Sequence, residues 1–202
     1  MKKTLMRFGL IMIFFALLIL ALSLCSVLTF VASYTEAHPF SQYDIVLGTD
    51  GFYYLATDFG DNSFLVPFHY HPDNVSDLFL DQQIAPSFIA LARNTSVALS
   101  FSPTEKGGII VAGVDLARIL GNKDALFGLN VHSAFSEPFA NSTVPVLTCI
   151  DANPEQWVVL FTSSNTTQGT ISGNCVIIEY ASAEEAIRLI DKLTYQLLGI
   201  PA

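Results

Sequence analysis

GNCVIIEYASAEEAIRLIDKLTYQLLGI, residues 173–200, joins a short apolar run to a long stretch of helical period. In its second half Ala186, Ile187, Ile190, Leu193, Leu197 and Leu198 recur at intervals that share one helix face. Glu184, Glu185, Arg188, Asp191 and Lys192 mostly take the opposite side, the solvent side of an amphipathic helix. Ser182 stands where an N-cap belongs, Glu185 three residues on completes a capping box, and Gly199 and Pro201 stop the helix. A strand running into a helix is the repeating unit of an α/β domain.

The preceding hundred residues repeat that unit. SVALSFS (96–102), GGIIVAG (107–113), LNVHSAF (129–135), VPVLTCID (144–151) and QWVVLFTSS (156–164) are short apolar runs of strand length, and VDLARILG (114–121) has helical spacing. The expected result is a mixed or parallel sheet flanked by helices. Gly113 then closes a strand, and Asp115 caps the helix behind it. Trp157 falls in an apolar run and belongs to the core, whereas Phe135, Pro138 and Phe139 form an apolar loop open to a partner or the bilayer. Asp151, at a strand end, is read as a turn residue.

Nearer the front, YDIVLGTDGFYYLATD (43–58) places two β-rich runs around Asp50-Gly51, a type I′ hairpin dipeptide. NSFLVPFHY (62–70) supplies a third strand, with Pro67 putting it at an edge or bulge. Together they predict an antiparallel β-meander leading into the α/β part. Between the two, Pro86 limits any helix to a short piece.

Ahead of residue 34 the chain changes character. Lys2, Lys3 and Arg7 precede an uncharged apolar run, residues 8–33, longer than the roughly 20 residues that cross a bilayer core. The reading is a basic tip at 1–7, a transmembrane signal anchor at 8–33 in contact with membrane lipid, a linker at 34–42, and an extracellular domain at 43–202. The positive-inside rule leaves the amino end in the cytoplasm. A cleaved signal peptide competes with this, but its apolar core would be shorter. Lipidation at Cys25 is disfavoured by the bulky Leu24 before it. Arg7-Phe8-Gly9 ahead of an apolar helix also resembles a type IV pilin-like leader, although the early acid usual in pilin helices is missing. A pilin-like subunit is thus one alternative.

Of nine basic groups, three lie in the tip; the six that remain face all eighteen acids, a net of −12 beyond residue 35. Such a surface repels phosphate backbones and argues against nucleic-acid binding. Cys149 and Cys175 both lie on the expected outer side, where two thiols oxidise, so a Cys149–Cys175 disulfide is expected. Asn74, Asn94, Asn141 and Asn165 each open an Asn-X-Ser/Thr acceptor sequence, consistent with an exported glycoprotein.

His69 and His71, two residues apart on the expected third strand, would share one face and are candidate metal ligands, with Asp73 or Asp77 as an oxygen donor and His132 or His38 as a distant third. That arrangement would make the chain a membrane-tethered divalent-metal-binding protein or hydrolase. The competing reading is an edge strand whose histidines face solvent, and it is preferred because a closed site wants a definite third ligand. No GxSxG, Walker-type glycine loop, CxxC or HExxH occurs, so no catalytic residue and no cofactor is assigned.

GGIIVAGVDLARILG and the closing segment 173–200 resemble the small α/β units of archaeal S-layer and other single-pass cell-surface proteins, over about the last hundred residues. The resemblance implies a non-enzymatic, envelope-associated protein that works in structural assembly or in protein or ligand interaction, with other envelope proteins or copies of itself as partners. It brings no catalytic residues with it.

Overall fold

The computed structural model describes residues 43–59, 62–93, 95–105, 107–121 and 127–202. The expected membrane helix at 8–33, with Cys25, His38 and Asn94, lies outside the described residues. Among the described residues no helix is long and apolar enough to cross a membrane.

A three-stranded antiparallel meander comes first: β1 (Ile45–Leu47), β2 (Tyr53–Phe59) and β3 (Asn62–Phe68). Its first turn is not type I′. Gly51 takes φ +87° but Asp50 stays out of the left-handed region, and Gly51 N–H donates to Gly48 O while Gly48 N–H donates to Phe52 O. This is a three-residue loop in which Gly51 supplies the left-handed bulge residue. Pro67 lies on β3, an edge strand, where its missing N–H is tolerated.

The α/β part follows as β4 (Phe79–Leu80), α1 (Ile84–Ile89), β5 (Ser96–Phe101), α2 (Gly108–Gly121), β6 (Asn130–Phe135), β7 (Gln156–Ser163), β8 (Gln168–Ser172), β9 (Cys175–Tyr180) and α3 (Ala183–Leu197). The sheet order is β4-β8-β9-β7-β5-β6. Strands β9, β7, β5 and β6 are mutually parallel, and β8 with its parallel partner β4 runs the opposite way. The expected mixed α/β architecture is therefore present.

Two segments differ from expectation. GGIIVAG is not a strand: residues 108–121 form one helix, burying Ile109, Ala112, Gly113, Leu116, Ile119 and Leu120 at helical spacing. Gly113 does not break it, because the Phe101 ring sits where a side chain would go; an added Cβ would lie 2.3 Å from Cζ. Asp115 is consequently in mid-helix and caps nothing. VPVLTCID is not a strand either. Val146 makes one isolated bridge to Phe135, and Cys149–Asp151 is a 3-10 turn capped by Thr148. Asp151 is the turn residue expected, accepting from Thr148 N and Oγ1.

Alternation along the strands divides the core. One face carries Phe101 stacked on Phe161, and Trp157 against Phe88 of α1; α2 and α3 pack there. The opposite face presents Ala98, Ala134, Val158 and Cys175, and among the described residues no α-helix covers it. Leu147, Cys149 and Ala152 of the β6–β7 connection pack on it instead. The described α-helices thus lie on one face.

Helix α3 begins at Ser182, whose side chain accepts from Glu185 N. Glu185 does not close the box; its carboxylate pairs with Arg188. The helix ends in a Schellman motif, with Ile200 N–H to Tyr195 O, Gly199 N–H to Gln196 O and Gly199 at φ +76°. Its second side is not open to solvent. The meander packs there through Phe68 on Tyr195, so Asp191 and Lys192 are buried, contrary to the amphipathic expectation.

Candidate functional site

The two histidines do not converge. Strand β3 ends at Phe68, so His69 and His71 leave the pleat that would have aligned them. His69 stands edge-on to Phe52, its Nε2 3.0 Å from Asp115 Oδ2 on α2. His71 lies against Tyr53, its Nδ1 3.2 Å from Asp73 Oδ2. Asp77 is held by Arg188, and His132 is on β6 beside Ser96. Among the described residues no three His, Cys, Asp or Glu side chains gather as a metal would require.

At the junction of meander and helices a different cluster forms. Asp191, only 3% exposed, accepts the backbone N–H groups of His69 and Tyr70 on one oxygen, each at 2.8 Å. Burial raises its pKa to about 8, against the lowering effect of those two donors, and the nearby Asp115 pushes the same way as burial. Arg118 pairs with the other Asp115 oxygen at 3.2 Å. The result is an Arg118–Asp115–His69 relay over a buried carboxyl. Through these contacts the relay joins the end of β3 to α2 and acts as a clasp.

Lys192 is part of the same fastening. Its Nζ donates to Ser76 O at 3.1 Å and Val75 O at 3.3 Å, and burial lowers its pKa while Asp77 works in the opposite direction. Neither Asp191 nor Lys192 was readable as buried from helix periodicity, because periodicity locates one packed face and α3 has two.

The second feature is a crevice. Strand β5 passes through α2 to β6 on one side, and the chain then returns across β5 to β7, so the direction of winding reverses between β5 and β7. In open α/β sheets ligands bind outside the strand carboxyl ends at such a point. A cleft of about 360 Å³ lies there, lined by Ser102, Glu105, Ser136, Thr148, Thr162 and Ser163. Ser102 bonds Thr104 and Glu137, and the Tyr180 phenol donates to Glu105 at 2.6 Å, its own ionisation pushed up by burial and by that carboxylate. These groups can hydrogen-bond a small polar ligand. A Ser or Thr directly after an apolar run was the only sequence signal for them.

The Cys149–Cys175 disulfide is present, with Cα atoms 5.2 Å apart. It ties the β6–β7 connection to β9 across the face that carries Ala98 and Ala134, where Ser100 Oγ also donates to Leu147 O. Asn74, Asn141 and Asn165 are all exposed; Asn141 takes φ +61°, which Asn tolerates in turns. Phe139, 52% exposed, stands edge-on to Phe135; Phe135 itself ends strand β6 and is half-buried, so of the expected apolar loop only Pro138 and Phe139 are loop residues in the open. Comparison with protein-family models, curated proteins and solved structures finds no match to this chain.

Proposed function

We propose that this chain is a membrane-anchored cell-envelope protein of the archaeal surface-protein kind, whose α/β domain works outside the cell in structural assembly or interaction. The observation that carries the reading is the Cys149–Cys175 bond. It fastens the segment that lies over the sheet face carrying Ala98, Ala134 and Val158, and such a bond forms and persists on the oxidising side of a membrane. The uncharged run at 8–33 with its basic front supports an anchor in that orientation. Exposed acceptor sequences at Asn74, Asn141 and Asn165 suit a glycosylated outer surface. The clasp of Arg118, Asp115 and His69 joins layers of the domain, and the crevice between β5 and β7 offers hydroxyls for a small polar ligand, in keeping with binding rather than turnover.

Fractionating cells that express the full chain, digesting intact cells with protease, and weighing the mature protein without reductant tests the proposal. The expected result is a membrane-bound chain with an outward-facing, oxidised domain. A soluble cytosolic polypeptide with both thiols reduced would overturn it.

A further inference from the structure

The polar lining of the crevice between β5 and β7 is five hydroxyls and one carboxylate. Ser102 stands just beyond β5, Ser136 just beyond β6, Thr148 in the β6–β7 connection, and Thr162 and Ser163 at the end of β7. Two of these hydroxyls are already engaged, Ser102 with Thr104 and Glu137, and Thr148 with Asp151. Among the described residues the hydroxyls of Ser136, Thr162 and Ser163 bond no protein group. The sheet nevertheless fixes where they stand. Ser136 N–H donates to Phe101 O, and Thr162 and Ser163 lie in register with Glu179 and Tyr180 of β9. Glu105 is held from the other side, its Oε1 accepting from the buried Tyr180 phenol, while its Oε2 accepts from no described group. The site is therefore preformed, as small-molecule sites usually are.

These groups select a ligand. A hydroxyl donates and accepts, whereas a carboxylate only accepts. Three free hydroxyls beside a fixed carboxylate are matched by a molecule carrying several groups that also do both. No Lys, Arg or His lines the crevice, and Glu105, in a chain with a net charge of −12 beyond residue 35, repels a phosphate, sulfate or carboxylate. An ammonium ion would suit Glu105 but, as a donor only, would leave the hydroxyl protons unmatched. An apolar molecule would strip water from all four groups and return no hydrogen bond. Half-buried Leu160 adds an apolar patch to the wall, a counterpart for the C–H face of a ring. The volume, about 360 Å³, is at the small end of ligand sites and suits a single sugar unit.

We propose that this crevice binds a neutral sugar, whose hydroxyls bond Ser136, Thr162, Ser163 and Glu105. The inference rests on the interaction reading above and names its ligand class. A free monosaccharide and the terminal unit of a glycan share this chemistry.

The test uses the full chain in phosphatidylcholine nanodiscs, which bring no sugar of their own. Saturation-transfer NMR is recorded with the methyl glycosides of glucose, galactose, mannose and N-acetylglucosamine, with mannotriose, and with ethanolamine and inorganic phosphate. At least one glycoside should bind saturably at concentrations on the order of 10 mM or below. Thr162→Ala/Ser163→Ala, and separately Ser136→Ala, should weaken it by about fivefold or more, the loss of one or two hydrogen bonds. Gln82→Ala, in a separate hollow beside β4, should leave it unchanged. An unchanged circular dichroism spectrum and an intact Cys149–Cys175 bond show that each variant is folded. Mannotriose bound as tightly as the best monosaccharide upholds the site with a glycan as its source; binding about tenfold weaker upholds it with a free sugar. No saturable glycoside, equal binding by the folded crevice variants, or tighter binding of ethanolamine or phosphate than of any glycoside overturns the proposal. Such a failure in an anchored, oxidised chain leaves the envelope reading standing, whereas a cytosolic chain with reduced thiols overturns that reading and leaves the titration readable.

Discussion

The Tyr195 ring lies flat on the Phe68 ring, with centroids 3.9 Å apart and planes 8° from parallel. Both rings are fully buried, and the Tyr195 hydroxyl donates to Tyr70 O at 2.8 Å. This stack fastens the meander to α3, beside the hydrogen bonds that Asp191 accepts from His69 and Tyr70 N–H.

Phe68→Ala should therefore cost about 3–5 kcal/mol, the usual range for deleting a buried aromatic side chain. Tyr195→Phe keeps the stack but orphans the Tyr70 carbonyl and should cost about 1–3 kcal/mol. Urea unfolding of the two variants checks both values; equal losses would mean that the hydroxyl, and not the stack, holds the layers.

Asp191 makes stability depend on pH. Its folded pKa, about 8, lies above the ordinary carboxylate value. The folded state therefore holds the proton more tightly than the unfolded chain, so this contribution is fully present below about pH 4 and is lost as pH rises through 8. Over that window the slope approaches about −1.4 kcal/mol per pH unit. Asp191→Asn retains an oxygen for the His69 and Tyr70 N–H groups and should flatten the slope. Asp191→Ala leaves both donors unsatisfied and should destabilise at every pH. Denaturation midpoints measured from pH 5 to 8.5 distinguish the three proteins.

Breaking the disulfide should free the β6–β7 connection. Its two cysteines are 26 residues apart, a loop for which chain-entropy arguments give roughly 3–4 kcal/mol. The double variant Cys149→Ala/Cys175→Ala should lose about that much, and amide exchange should rise first at Leu147 and in the Cys149–Asp151 turn. Uniformly raised exchange throughout the sheet would show that the bond supports the whole domain.

Gly113→Ala adds a methyl that helices ordinarily favour, by up to about 1 kcal/mol. Here it meets Phe101 at 2.3 Å, and that ring is itself packed on Phe161, 4.5 Å away. Overpacking should prevail, with a loss of about 1–3 kcal/mol in thermal or urea unfolding.

Where local signals were complete, they were readable in the sequence. The cap at Ser182, the stop at Gly199, the edge proline Pro67, the core Trp157 and the cysteine pair all report chemistry that acts within a few residues or depends on compartment. The failures share one cause. Ile109, Ile110 and Val111 favour strands locally, yet they form helix α2 because its buried positions recur at helical spacing and Phe101 needs the space above Gly113. VPVLTCID has the composition of a strand, but Pro145 and the cap at Thr148 turn it into a covering segment. The 69/71 spacing implied a shared face only while β3 continued, and the strand stops at Phe68, before either histidine. Asp191 and the crevice at Ser102 and Glu105 arise from layers brought together over long sequence distances, which no local pattern encodes.

The clasp between meander and final helix also sets an order of events during synthesis. The residues that receive His69 and Tyr70 lie more than 120 positions further along the chain. The front of the domain must therefore emerge, and wait with Phe68 uncovered, until residues 183–197 have been made. A nascent chain paused before that point would display an apolar sheet surface, the kind of surface a holding chaperone engages.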